Sequence, residues 1–288
     1  ARVRSIIEYT YTKLITTSEY MMHRAKKSLG QNFLKSKSAL SAIVDAGSLV
    51  ANDIVLEIGP GKGALTERLL KLAGKVIAVE KDNNLFELLS EKFSDAIHEG
   101  KLELIHGDIL DFDPSIFQNY KEFNYKIIAN VPYNITGLIV QKFLTAPHQP
   151  VLMVLLLQKE VVDRIVARDN KESILSLSVK AYGIPKKITK VPASAFSPAP
   201  KVDSAVLLIS GISREFFGDM DEKHFFEVVR AGFAHKRKVL ARNLTELGMS
   251  HESILVILSQ IGISQKARAE DLSITDWKAI TVLISKIS

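Results

Sequence analysis

A chain of 288 residues, 47% apolar and 24% charged, is long enough for a sizeable α/β core and excludes disordered and fibrous classes. Its 38 Lys plus Arg against 32 Asp plus Glu leave a formal charge of +6, which favours a polyanionic partner. With no cysteine there is no disulfide, thiolate metal site or cysteine nucleophile, and the seven scattered histidines form no ligand pair, so no metal is expected.

Residues 1–23 read as an N-terminal extension of unknown role. They carry Arg2, Arg4 and Lys13 with only Glu8 and Glu19 as acids, so they suit either an organelle-targeting segment or sequence upstream of Met21 and Met22. From there the apolar spacing predicts a short helix over residues 39–46 and a strand over 53–58. The strand runs straight into Gly59-Pro60-Gly61-Lys62-Gly63, with a helix over 64–72 behind it. Residues 75–79 form the next strand, with Glu80 at its end. A helix over 84–93 and a strand over 102–105 follow, the latter ending in His106-Gly107-Asp108. A central strand over 125–129 ends in Asn130-Val131-Pro132-Tyr133, then come a helix over 137–144, a strand over 151–157 and a helix over 160–168. The run 151–157 is the most apolar in the chain and is too short to span a bilayer, so no membrane association is expected. A helix over 173–182 and strands over 187–191 and 205–209 close this part. Strand and helix alternating at this cadence predict an α/β fold with a mostly parallel, doubly wound sheet over residues 24–210. Beyond residue 211 only helical spacing remains, over 225–233, 239–247, 253–260 and 274–287, which predicts a small all-helical domain over 211–288.

The chemistry gathers at the strand ends. A Gly-x-Gly-x-Gly turn after the first strand lets backbone approach a ligand closely, although the same pattern also serves as a tight turn. Glu80 stands where a carboxylate can accept from both hydroxyls of a ribose, and Asp108 where one can accept from an adenine amino group; both positions equally suit helix capping. Asn130-Val131-Pro132-Tyr133 fits a harder task. An adenine N6 lone pair is delocalised into the ring, and two acceptors, the Asn130 side-chain oxygen and the Val131 carbonyl, favour the pyramidal nitrogen that attacks a methyl group. Pro132 holds the turn, and Tyr133 offers a ring for stacking a base presented outside its helix. Phe196, within the Pro-rich run Ala195 to Ser204, is a candidate second wall of that base slot.

These segments resemble the ribosomal RNA adenine N6,N6-dimethyltransferase family acting on the small subunit. The likeness spans residues 24 to 288 and rests on Lys26 to Leu34, Leu56 to Thr66, Asn130 to Ile135, Gln158 to Val161, Ala195 to Ser204 and Phe233 to Leu244, which resembles the family's characteristic basic helix. It implies a class I, Rossmann-like methyltransferase using S-adenosylmethionine. By that resemblance Asn32, Leu34, Gly59, Gly61, Glu80, Asp108 and Asn130 hold the cofactor, and Tyr133 and Phe196 sandwich the target base. It also implies a cytoplasmic monomer that works on immature small subunits, docked through phosphate contacts from Lys236, Arg237, Lys238 and Arg242. Val131 stands where the family usually has leucine, which a backbone role tolerates. A large-subunit RNA methyltransferase of the macrolide-resistance type, a mitochondrial transcription factor built on the same fold, a DNA adenine methyltransferase and an assembly scaffold remain alternatives at this level.

Overall fold

The computed structural model describes residues 31–120 and 125–287, so the N-terminal extension and the basic residues 24–27 lie outside the described residues. In chain order the elements are β1 (Phe33–Leu34), α1 (Lys37–Ala46), β2 (Ile54–Ile58), α2 (Thr66–Leu72), β3 (Lys75–Glu80), α3 (Asn83–Lys92), α4 (Ser94–His98) and β4 (Leu102–His106). There follow β5 (Tyr125–Asn130), α5 (Thr136–Leu144), β6 (Leu152–Gln158), α6 (Lys159–Ile165), α7 (Ile174–Lys180), β7 (Ile184–Val191), β8 (Phe196–Ser197) and β9 (Ser204–Ser210). The chain ends in helices α8 (Glu222–Gly232), α9 (Leu240–Leu244), α10 (His251–Gln260) and α11 (Ile274–Ser285).

Seven strands form one sheet in the order β4-β3-β2-β5-β6-β9-β7, and β9 alone runs against its neighbours. The inner strands β2, β5 and β6 are buried on both faces, which is why their sequences are near-continuous apolar runs rather than alternating ones. Alternate residues still serve opposite layers. Leu56, Ile127 and Leu155 face a layer with α5, α6 and α7, whereas Val55, Ile128 and Val154 face α1 and α2. Each side chain so buried contributes about 1.5–3 kcal/mol relative to exposure. The first of these clusters continues through Tyr182, Phe217 and Phe225 into the C-terminal helices, where Trp277, Leu240, Leu258 and Ile280 are buried. α8 presents Phe225, Val228, Val229 and Gly232 to it, the stripe expected of an amphipathic helix.

Several expected elements differ in extent. The helix expected over 160–168 stops at Ile165, because Ala167 and Asn170 take positive φ values of 52° and 55°. The one expected over 239–247 is α9 plus a 3-10 turn, Thr245–Leu247, that tightens before Gly248 enters the left-handed region at φ 84°. The basic run Lys236-Arg237-Lys238 is no helix but an exposed turn between α8 and α9, held where the Asn243 Nδ2 donates to the carbonyls of Gly232 (2.6 Å) and His235 (3.2 Å). The β1–β8 ribbon, in which Phe33 lies opposite Ser197 and Leu34 opposite Phe196, had no counterpart in the periodicity, since two residues carry no period.

Candidate active site

The strand order reverses between β2 and β5, the place where open α/β sheets leave a crevice beyond the carboxyl ends of the strands. A cavity of about 390 Å³ opens there. Asn32, Leu34, Gly59, Gly61, Glu80, Asp108 and Asn130 all line it, together with Val131, Pro132 and Tyr133.

Gly59 and Gly61 turn the chain out of β2 at φ 63° and 62°, a region that favours glycine. A Cβ on Gly61 would lie 3.1 Å from the Phe33 ring, and one on Gly59 would meet nothing within 4 Å, so it would occupy open space beside the cavity. The loop is held from β3. Glu80 Oε2 accepts the Gly61 amide at 3.1 Å, and its Oε1 accepts the Asp82 amide at 2.9 Å. Glu80 is therefore not a helix cap; Asp82 fills that role, its Oδ1 accepting the amides of Asn84 and Leu85 at the start of α3. Burial raises the Glu80 pKa, offset in part by these amide contacts. Asp108 differs. The Lys81 ammonium 2.6 Å away and the Leu110 amide hold its pKa below the ordinary value, so it is ionised and acceptor-only at neutral pH.

Asn130 ends β5 at the cavity. Its Nδ2 donates to the Asn32 carbonyl at 3.2 Å, which fixes the amide orientation and leaves Oδ1 as the acceptor end. Tyr133 starts a 3-10 turn, Tyr133–Ile135, and its hydroxyl lies 2.6 Å from Ser204 Oγ. Phe196 departs from expectation. Pairing of β8 with β1 turns its ring into the cluster with Leu34, Leu40 and Val206, where it is 2% exposed and does not line this cavity.

Sequence reasoning missed three contributors. Leu85 and Ile109 give the cavity apolar walls beside Glu80 and Asp108; each follows a singled-out acid within a few residues, which is a usable signal. Glu57 carries none, because it lies inside a buried strand that reads as apolar. It is 1% exposed, lines the cavity, and its Oε2 has no hydrogen-bond partner among the described residues. Desolvation pushes its pKa up to about 8, with Glu80 adding repulsion and contact with Thr66 lowering it only in part.

That shift predicts a pH dependence. Glu57 is protonated in the folded chain below about 8 and ionises from 4.5 when unfolded, so the folded state binds the extra proton between these values. Its contribution is fully present below pH 4.5 and is lost as pH rises through about 8, at up to about 1.4 kcal/mol per pH unit. Urea titrations of Glu57→Gln and the parent should diverge over this window, the variant losing less stability. Parallel curves would refute it.

Among the described residues no group of three or more His, Asp or Glu side chains is placed to hold a metal ion, and no helix is long and apolar enough to cross a membrane. The cavity thus brings two acids, apolar walls and a glycine turn beside the Asn130 amide, Val131 and the Tyr133 phenol.

Comparison with known proteins agrees with that geometry. The ribosomal RNA adenine dimethylase family matches residues 22–286. A ribosomal RNA small subunit methyltransferase A from Dehalococcoides mccartyi is 41% identical over 264 residues, covering 91% of this chain and 89% of its own. Among solved structures, a dimethyladenosine transferase from Plasmodium falciparum superposes with a TM-score of 0.75 at 26% identity, over 88% of this chain and 98% of that one. The 23S rRNA methyltransferase ErmE reaches 0.74 at 23% identity over 88% and 100%, a likeness of fold. With a match over nearly its whole length and this identity to a full-length relative, the chain belongs to the ribosomal RNA adenine dimethylase family.

Proposed function

We propose that the protein transfers methyl groups from S-adenosylmethionine to N6 of two adjacent adenosines near the 3′ end of small-subunit ribosomal RNA, giving N6,N6-dimethyladenosine during small-subunit maturation. The observation that carries this reading is the Asn130 amide, oriented by Asn32 so that its acceptor end remains for an amino group at the cavity.

The cavity fits the cofactor on two counts. Gly59 keeps open the space a side chain would fill, and Glu57, uncharged at neutral pH, offers a buried oxygen with no hydrogen-bond partner among the described residues, which a polar group of a ligand would satisfy. Glu80 would hold the ribose, Asp108 the adenine amino group, and Leu85 and Ile109 the ring faces, with Asn32, Leu34, Gly59 and Gly61 closing around it. Bound there, S-adenosylmethionine supplies a methyl group activated on a sulfonium.

The chain's own residues then act on the target. Asn130 Oδ1 and the Val131 carbonyl each accept one hydrogen of the adenine amino group and stabilise charge as it develops on nitrogen. No strong base is required, since N6 becomes acidic once alkylated and its proton passes to solvent. Tyr133 stacks the extruded base, which must leave its helix to enter. Phe196 closes the slot from the other side; with its ring 2% exposed, that contact requires the 192–203 loop to turn it outward. Residues 24–210 form the catalytic domain, and residues 211–288 dock on RNA. The exposed Lys236, Arg237, Lys238 and Arg242 contact phosphates there and so position the enzyme without reading bases. The working form is a cytoplasmic monomer acting on immature small subunits.

The test is incubation with labelled S-adenosylmethionine and small subunits lacking the modification, followed by mass spectrometry of digested RNA. Dimethyladenosine at two adjacent positions near the 3′ end is the expected product. Label on large-subunit RNA alone, or none on either, would reject the assignment.

A further inference from the structure

We infer that Ser204 is a positioning residue for the target base: it sets the plane of the Tyr133 ring by a hydrogen bond at the far end of the phenol. The inference rests on the reading of Tyr133 as the stacking platform.

The backbone alone leaves that ring loosely defined. Tyr133 opens a three-residue turn with no side-chain cap, closed by an Ile135 amide to Pro132 carbonyl bond of 3.3 Å. Such a turn fixes a Cα position but not the two side-chain torsions that aim a ring. The second anchor is 71 residues away, where the Tyr133 hydroxyl meets Ser204 Oγ at 2.6 Å. Burial raises the phenol pKa, so the hydroxyl stays neutral and keeps its proton for this bond.

Ser204 is itself immobile. It is fully buried and is the first residue of β9, opposite Gln158 of β6 and Val191 of β7. The residue before it is tied on three sides: the Asp203 carbonyl accepts the Lys159 amide (2.9 Å), its Oδ1 accepts the Ala193 amide (3.0 Å), and its Oδ2 pairs with Lys190 (2.8 Å). One strand end thus fixes the Tyr133 ring, through Ser204, and pins only the two ends of the loop that carries Phe196, through Asp203. A half-buried ring held at both ends presents one face to an incoming base, whereas a phenylalanine of the same shape is free to rock.

The experiment combines Ser204→Ala, Tyr133→Phe, the double variant and Tyr133→Ala. It measures methylation of undermodified small subunits, cofactor affinity by calorimetry, and fluorescence of 2-aminopurine placed at the target adenosine. Ser204→Ala and Tyr133→Phe should each lower kcat about 3–10-fold, as expected for loss of one hydrogen bond, with cofactor affinity unchanged. The double variant should be no worse than either single change, because both remove the same bond. Both singles should also weaken the stacking quench of 2-aminopurine. Unchanged rates and quenching in Ser204→Ala and Tyr133→Phe, beside a strong defect in Tyr133→Ala, would overturn the role of Ser204 but keep the platform. Additive losses in the double variant would overturn it too, as would lost thermal stability with quenching intact. A Tyr133→Ala variant as active as the parent would instead remove the platform on which the inference stands.

Discussion

Asn130→Ala should lower kcat for adenosine methylation by about 100–1000-fold, the scale seen when one fixed dipole facing a developing charge is removed. The expectation follows from how the amide is held. Its Nδ2 is committed to the Asn32 carbonyl, so Oδ1 cannot exchange places with it, and the acceptor aimed at the adenine amino group is lost without a substitute. Because Asn130 is half-buried at a strand end, its truncation leaves no large cavity and the fold should survive. Asn130→Asp is informative beside it: an acceptor remains, but two oxygens then face each other at Asn32, so activity should fall between the alanine variant and the parent. Single-turnover methylation with saturating cofactor, alongside calorimetric cofactor affinity, separates chemistry from binding. A kcat within tenfold of the parent would remove Asn130 from the reaction.

A second large effect should come from the far side of the sheet. Lys126, on β5, pairs with Asp53 at 2.8 Å, and both side chains are 11% exposed. The ammonium also donates to the carbonyls of Gly47 and Ser48 just past the end of α1, while Asp53 accepts the Val50 amide. Removing either partner strands a buried charge, so Lys126→Ala or Asp53→Ala should destabilise the fold by about 3–5 kcal/mol in denaturant titrations. The combination Lys126→Met with Asp53→Asn retains an acceptor for Val50 and buries no charge, so it should recover most of that loss. Lys126 lies opposite Val55 and Leu152, near the amino ends of the strands and away from the cavity. Folded molecules of each variant should therefore keep their activity. A single variant as stable as the parent would show that the pair carries no net stabilisation.

What could be read from the sequence shares one property: it is local. The glycine turn, Glu80, Asp108 and Asn130 to Tyr133 each sit where an apolar run gives way to polar residues, and a doubly wound sheet brings such junctions to one edge. Periodicity therefore sufficed for the α/β class and the C-terminal helices, and position at a strand end for Glu80, Asp108 and Asn130 to Tyr133, whereas Asn32 and Leu34 entered only through the family resemblance. The basic run Lys236 to Lys238 misled as to conformation because composition does not distinguish a helix from a turn held by Asn243 across the chain.

Tertiary structure decided what depends on residues distant in sequence. The amide of Asn130 is oriented from 98 residues away, the ring of Tyr133 from 71, and the Lys126–Asp53 pair spans 73. No local window contains both members of any of these pairs. Glu57 is the sharpest case. By sequence it is one acid in a strand, but the strands on either side remove its water, and desolvation, with repulsion from Glu80 added, turns an ordinary carboxylate into one that holds its proton up to about pH 8. Phe196 shows the converse: a loop position that sequence left open was closed by a two-residue ribbon, which buried the ring against Leu34. The sequence by itself determined which groups arrive at the strand ends; packing determined their orientation, charge and exposure, because those depend on what the folded chain sets around each group.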